Sequence, residues 1–148
     1  MAEVVLMASV AQLLESKGNT VYSIEPEASV YNALELMAKH NIGALPVLDG
    51  DKLVGLVSER DYARKVILQG HNSRETRVAD IMSKQVTCIS PGDEVQQCMA
   101  IMTEKRIRHL PVLEKGELVG LVSIGDLVKS IIGEQQFVIE QMTQYIAG

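Results

Sequence analysis

Two short stretches carry the residues best suited to chemistry: Ser58-Glu59-Arg60-Asp61 and Ser123-Ile124-Gly125-Asp126, each led in by Gly-Leu-Val. In both, the Ser falls where an apolar run gives way to a helix, and the Asp stands three residues on. One chemistry open to this pair is structural. A Ser at the N-cap accepts a backbone N–H of the first turn, and an acidic N3 residue reaches back to the cap N–H, which is worth about 1 kcal/mol. The favoured N3 residue is Glu or Gln, whose longer arm makes the return bond, so Asp fits less well. The other chemistry needs a ligand. At the positive end of a helix a Ser hydroxyl donates to a phosphate oxygen, and a carboxylate one turn in accepts two hydrogen bonds from a ribose diol. Phosphate donor and diol acceptor on one turn make a nucleotide-shaped pair. Residue chemistry alone leaves both readings open.

The elements that position these residues are themselves doubled. Shifting the chain by 65 residues aligns Thr20–Arg64 with Gln85–Lys129 without a gap, and 17 of the 45 pairs are identical. Eleven of those identities lie between Leu45 and Asp61, where "LPVL" and "LVGLVS" recur whole. The lead-ins "VAQLL" (10–14) and "VADIM" (78–82) also echo one another. Such self-similarity marks a duplicated structural unit. Each copy reads strand, helix, strand, strand, helix. "TVYSI" and "QVTCI" alternate as strands do. Ser29 caps a helix with apolar Val30, Ala33, Leu34, Met37 and Ala38, matched by Val95, Cys98, Met99 and Met102. Two apolar strands follow, joined by Asp49-Gly50-Asp51 in copy one and Glu114-Lys115-Gly116 in copy two, and then helices from about Glu59 and Ile124.

The expected fold class is therefore α/β (α+β), with two βαββα repeats packed sheet to sheet about a pseudo-twofold axis and sharing a cleft. Units of about 60 residues are marginal alone, so a shared core is needed. We place repeat 1 at 10–70, repeat 2 at 75–132, an N-terminal arm at 1–9 and a C-terminal helix at 134–148. Phe137, Val138, Met142, Tyr145 and Ile146 fall on one face of that helix, to fold back or to meet a partner. The N-terminal stretch Val4–Leu14 has the same two options, and its Glu3 opening is unlike a signal peptide.

Bulk properties narrow the function. The 148 residues carry a net charge of −5, one Phe and no Trp, which argues against general nucleic-acid binding. No apolar run approaches a membrane span. Cys88 and Cys98 form no CxxC and fit a reducing, cytoplasmic setting as buried thiols. The dispersed His40, His71 and His109 make no ligand-spaced metal group. No GxSxG, Walker-type loop, GxGxxG or HExxH occurs, so no catalytic residue is assigned and the chain reads as a non-enzyme.

With both Gly-x-x-Ser-x-x-Asp motifs and the "LPVL" runs in view, the chain from about Val10 to Ile132 resembles a tandem pair of cystathionine-β-synthase (CBS) domains, a Bateman module. "SERDYARKVILQG" and "RIRHLPVL" resemble stand-alone proteins of that kind. The resemblance implies a regulatory cleft for an adenine nucleotide (AMP, ADP, ATP or NAD(H)) or for S-adenosylmethionine. It also implies further pairing into a homodimer and modulation of an unidentified partner protein. Carried over by position, Asp61 and Asp126 would hold ribose hydroxyls, and Ser58 and Ser123 phosphate. Adenine would lie against Ile42, Gly43, Ala44 and Leu45, and against Ile107, Arg108, His109 and Leu110. Thr20, Val21 and Tyr22, with Gln85, Val86 and Thr87, would close the two pockets.

The copies differ in their cations. Copy one offers Arg60, Arg64 and Lys65. Copy two has Gly125 opposite Arg60, Lys129 opposite Arg64, and earlier cations at Arg106, Arg108 and His109. Strand alternation predicts Arg106 and Arg108 on one side and His109 on the other. Different cation placement suggests different preferred phosphate counts. The rival reading is a ligand-free interaction module that regulates by contact alone.

Overall fold

Ser9 opens the first helix with a full capping box: its hydroxyl accepts the Gln12 N–H, and the Gln12 side chain accepts the Ser9 N–H at 3.0 Å. The computed structural model describes residues 8–18 and 20–147, so most of the expected N-terminal arm lies outside the described residues. Helix α1 spans Val10–Lys17. Helix α2 spans Val30–His40, with Ser29 accepting the Asn32 N–H at 3.0 Å, and α5 spans Val95–Lys105. Their apolar spacing is the one that places a stripe on the core. Val30, Ala33 and Met37 are buried, as are Val95, Cys98 and Met102, whereas Ala38 is exposed. Each helix ends in a left-handed residue, Asn41 (φ 53) or Arg106 (φ 55).

Two antiparallel hairpins follow these helices: β1 (Ala44–Asp49) with β2 (Lys52–Ser58), and β3 (His109–Glu114) with β4 (Glu117–Ser123). Their registers correspond residue for residue, including a bulge after Val47 and after Val112. The expected first strands are shorter than the sequence suggests. Of "TVYSI" and "QVTCI", Ile24 and Ile89 alone bridge, parallel to Val47 and Val112. Each makes two ladder bonds, and Tyr22 turns aside to stack on His40, ring centroids 3.5 Å apart. Pro26 and Pro91 stop the ladder beyond them, because a proline has no N–H to donate.

The packing crosses the order of the sequence. Val10, Leu13 and Leu14 of α1 lie in the core of the second repeat, with Ile89, Leu110 and Val122. Val78 and Ile81 of α4 (Val78–Ile81) lie in the core of the first, with Val30, Leu45 and Val57. The two echoing lead-in helices are thus exchanged between the repeats. Gly55 and Gly120 make room for them: a Cβ at Gly55 would sit 2.5 Å from Met82 Sδ, and one at Gly120 2.7 Å from a Leu14 methyl. Strands β2 and β4 touch, bringing the hairpins together.

The closing helices differ. After β2, α3 (Glu59–Tyr62) runs into a π-helical turn, Ala63–Ile67, that seats Val66 in the core. After β4, α6 runs unbroken from Ile124 to Ala147, so the separate helix expected beyond Gly133 is a continuation of this one. Leu127 and Ile131 face the core, while Ile132, Phe137, Ile139, Met142 and Ile146 are exposed. The described part of the terminal stripe therefore does not fold back on the chain. The side chain of Tyr145 lies outside the described residues.

Candidate functional site

Ser58 stands at the end of β2, where extended backbone (φ −131, ψ 165) meets the first turn of α3. Its hydroxyl accepts the Asp61 N–H at 3.2 Å and donates to Asp61 Oδ2 at 3.0 Å, and its own N–H donates to the same oxygen at 2.9 Å. Ser123 and Asp126 repeat the two backbone N–H bonds, at 2.9 and 3.1 Å. The short arm of Asp does close the capping box, because a Ser cap brings its N–H within reach of the N3 carboxylate.

Each carboxylate is also paired with a lysine. Lys65 Nζ lies 3.1 Å from Asp61 Oδ1 and donates to the Ile81 carbonyl at 2.8 Å. Lys17 Nζ lies 2.6 Å from Asp126 Oδ2 and donates to the Leu121 carbonyl at 2.6 Å. Burial works to raise the Asp126 carboxyl, but the Lys17 ammonium and the Ser123 N–H and hydroxyl outweigh it and hold the group below the usual carboxylate range.

Between the repeats lies a cleft of ≈ 490 Å³. From the first repeat it gathers Gly43, Ser58, Arg60 and Asp61; from the second, Ile107, Arg108, His109, Ser123 and Gly125. Arg106 also lines it. Arg60 Nη1 donates to the Arg106 carbonyl at 3.4 Å, so the two repeats meet across this cleft. Arg106 is the left-handed cap of α5 and β3 begins only at His109, so strand alternation does not govern this segment, and Arg106, Arg108 and His109 all face the cleft. Burial, then the nearby Lys17 and Arg108 charges, push the His109 imidazole below its ordinary pKa against the pull of Asp126.

Other expected residues stand elsewhere. Asp126 borders a second hollow of ≈ 450 Å³ between α1 and α6, with Gln12, Ser16, Lys17, Lys129 and Ser130. Ala44 and Leu110 are fully buried and can offer a ligand only backbone. Ile42 and Tyr22 pack against the first core. Thr20 and Arg64 are exposed, and Val21, Val86 and Thr87 half-buried, none of them lining the cleft.

Sequence reasoning missed Glu59, Ser83 and Lys17. Glu59 directly follows the cap serine, and its Oε1 approaches within 3.2 Å of where a Gly43 side chain would start, a neighbourhood it shares with His109 Nε2 at 3.6 Å. Ser83 pairs with Leu56 through two backbone bonds, a long-range contact with no local signal. Lys17 ends α1, beyond the stretch over which the two lead-ins echo one another.

These groups suit binding: guanidinium and hydroxyl groups can donate to an anion, and a carboxylate can accept from a diol. The register sets His109 opposite Ser123, yet among the described residues no hydrogen bond joins them, and Asp126 is engaged by Ser123 and Lys17. A nucleophile, base and orienting group in series is not formed. Burial raises both thiols, Cys98 to about 11, so they stand protonated. Among the described residues no cluster could hold a metal ion, and no helix is long and apolar enough to cross a membrane.

Comparison with known proteins shows the family. The CBS-domain family model matches twice, over residues 18–67 and 78–133. An Arabidopsis thaliana CBS domain-containing protein, CBSX3, named as mitochondrial, is 35% identical over 149 residues, covering 95% of this chain and 72% of the relative. A solved structure from Burkholderia ambifaria, described as a putative signal-transduction protein with CBS domains, superposes with a TM-score of 0.83 at 52% identity. That match covers 86% of this chain and 96% of the other. The inosine-5'-monophosphate dehydrogenase of Korarchaeum cryptofilum is 41% identical over 108 residues, 72% of this chain but 21% of the enzyme. That last likeness concerns a fifth of the enzyme and carries no dehydrogenase chemistry to this chain.

Proposed function

The chain belongs to the CBS-domain family, and from that premise we propose that it is a sensor whose inter-repeat cleft binds an adenine nucleotide and thereby modulates a partner protein. CBS domains generally bind adenine nucleotides. The observation that carries the reading to this chain is the gathering of Ser58, Asp61 and Ser123 with Arg60, Arg106 and Arg108 around one hollow of ≈ 490 Å³. Three guanidinium groups favour a phosphorylated ligand, AMP, ADP, ATP or NAD(H), over S-adenosylmethionine, whose sulfonium is itself a cation. Asp61 supplies the diol acceptor on the same turn, and Asp126 supplies the second from its own hollow. The role is regulatory and non-catalytic, in a cytoplasmic homodimer built on the exposed Ile139–Met142 face of α6.

A second reading has an observation of its own. Both carboxylates are occupied by their cap amides and a lysine, which is the arrangement a contact-only module would also keep. Thermal unfolding separates the two. At a free nucleotide concentration 100 times Kd, a bound ligand adds about 2.7 kcal/mol. Millimolar AMP, ATP or NADH is expected to raise the unfolding midpoint, and an unchanged midpoint with all three would favour the contact-only module.

A further inference from the structure

The two acidic side chains are both neutralised by lysine, but by lysines of different origin. Lys65 stands four residues beyond Asp61, just past the same helical turn, and its ammonium is shared with the Ile81 carbonyl of α4 at 2.8 Å. Lys17 comes from α1, 109 residues away in sequence, and its ammonium is fixed by two acceptors, Asp126 Oδ2 and the Leu121 carbonyl, each at 2.6 Å. That ammonium lines the hollow from which a ligand would approach Asp126. It takes an oxygen that already accepts the Ser123 N–H at 2.9 Å. At the other end of α1, the Ala8 N–H donates to Glu134 Oε1 at 2.6 Å. Both clamps fasten α1 to α6.

We propose that Lys17 is a built-in competitor for the second site: a ribose diol reaching Asp126 displaces its ammonium, and occupation of that site frees the C-terminal end of α1. The inference rests on the nucleotide reading of Asp126. It goes beyond that reading by naming the residue that sets the site's affinity and the element its occupancy moves. Displacement is physically accessible, because the Lys17 and Asp126 side chains keep 36% and 21% of their exposure and water can take over the ammonium. In the first repeat the roles are reversed: Lys65 belongs to the motif's own helical run and reaches across to the Ile81 carbonyl of α4 at 2.8 Å, so the lysine beside Asp61 is not supplied by a lead-in helix. Ligand binding at the two motifs thus has different consequences, and the second alone is linked to the N-terminal segment.

Calorimetric titration of AMP into Asp61→Ala, with and without Lys17→Met, tests this. Asp61→Ala leaves Asp126 as the remaining acidic acceptor, and Met keeps the length of the lysine stem without its charge. Lys17→Met is expected to tighten AMP binding about two- to fivefold, the range an ion pair of this exposure supports. Equal or weaker binding would overturn the competitor while leaving the nucleotide reading intact. If wild type binds and neither variant does, Asp126 is no site and the competitor falls with it. If wild type does not bind, the nucleotide reading itself has failed. Hydrogen exchange gives a second readout. The Gly18 N–H, bonded to the Leu14 carbonyl at 2.9 Å, is expected to exchange faster in wild type at saturating AMP. Unchanged protection there would overturn the release of α1.

Discussion

Asp61 and Asp126 each commit one carboxylate oxygen to the amide three residues back, so the proposed ligand binding would share its side chain with capping. Asn separates them. Its carbonyl still accepts the cap N–H, but its amide cannot accept from a diol. Asp61→Asn with Asp126→Asn should therefore stay within about 1 kcal/mol of wild-type stability, while nucleotide affinity falls by about tenfold or more; retained affinity would remove both residues from the site. His109 supplies a pH signature. Its folded pKa lies below the ordinary value, so the folded chain holds fewer protons than the unfolded one, and stability falls as pH drops through about 6.5. A phosphate beside it raises that pKa, so binding takes up protons and strengthens as pH falls from 8 towards 6. The slope should flatten in His109→Gln, leaving only the phosphate's own titration at about pH 6, and an identical slope in that variant would place His109 away from the phosphate. At this scale the sequence was informative wherever partners lie three residues apart, as Ser58 and Asp61 do. Lys17 was illegible, since its partner stands 109 residues away and no repeat counterpart points to it.

The elements show why the glycine in each "LVGLVS" belongs to the fold and not to the ligand. Gly55 faces Met82 and the Ser83 carbonyl, the latter 3.0 Å from a would-be Cβ and held by the Leu56 N–H at 3.0 Å. At Gly120 the nearest atoms to a would-be Cβ belong to the Leu14 side chain, its two methyls at 2.7 and 3.0 Å and its Cγ at 3.4 Å. Gly55→Ala is expected to lower the unfolding free energy in urea by about 1–3 kcal/mol, and Gly120→Ala by less, because a side-chain tip yields where a bonded backbone does not. Equal stability of Gly55→Ala and wild type would contradict the exchanged packing of the lead-in helices. The helices and hairpins were legible from periodicity and turn residues. The exchange was not, because an amphipathic stripe such as Val10, Leu13 and Leu14 states that it must be covered and not by which repeat. The five-residue first strands misled for a related reason: alternation in "TVYSI" survives although Ile24 alone finds a partner.

For the whole molecule, duplication does the organising. Two hairpins of matching register meet through β2 and β4, and the cleft between them collects residues that neither repeat could assemble alone. The pseudo-symmetry is broken where function would differ. Arg60 stands opposite Gly125, a π-helical turn opposite a 24-residue helix, and Lys65 does for Asp61 what Lys17 does for Asp126. The exposed Ile139 and Met142 lie on that long helix. Sedimentation should give a dimer, and Ile139→Glu with Met142→Glu a monomer; a wild-type monomer would contradict the assembly. The most direct test of the central claim is a crystal structure grown with saturating AMP. The account predicts ribose hydroxyls within hydrogen-bond distance of Asp61 or Asp126, and phosphate among Arg60, Arg106 and Arg108. A cleft without nucleotide at that concentration, or AMP bound away from all five side chains, would contradict it.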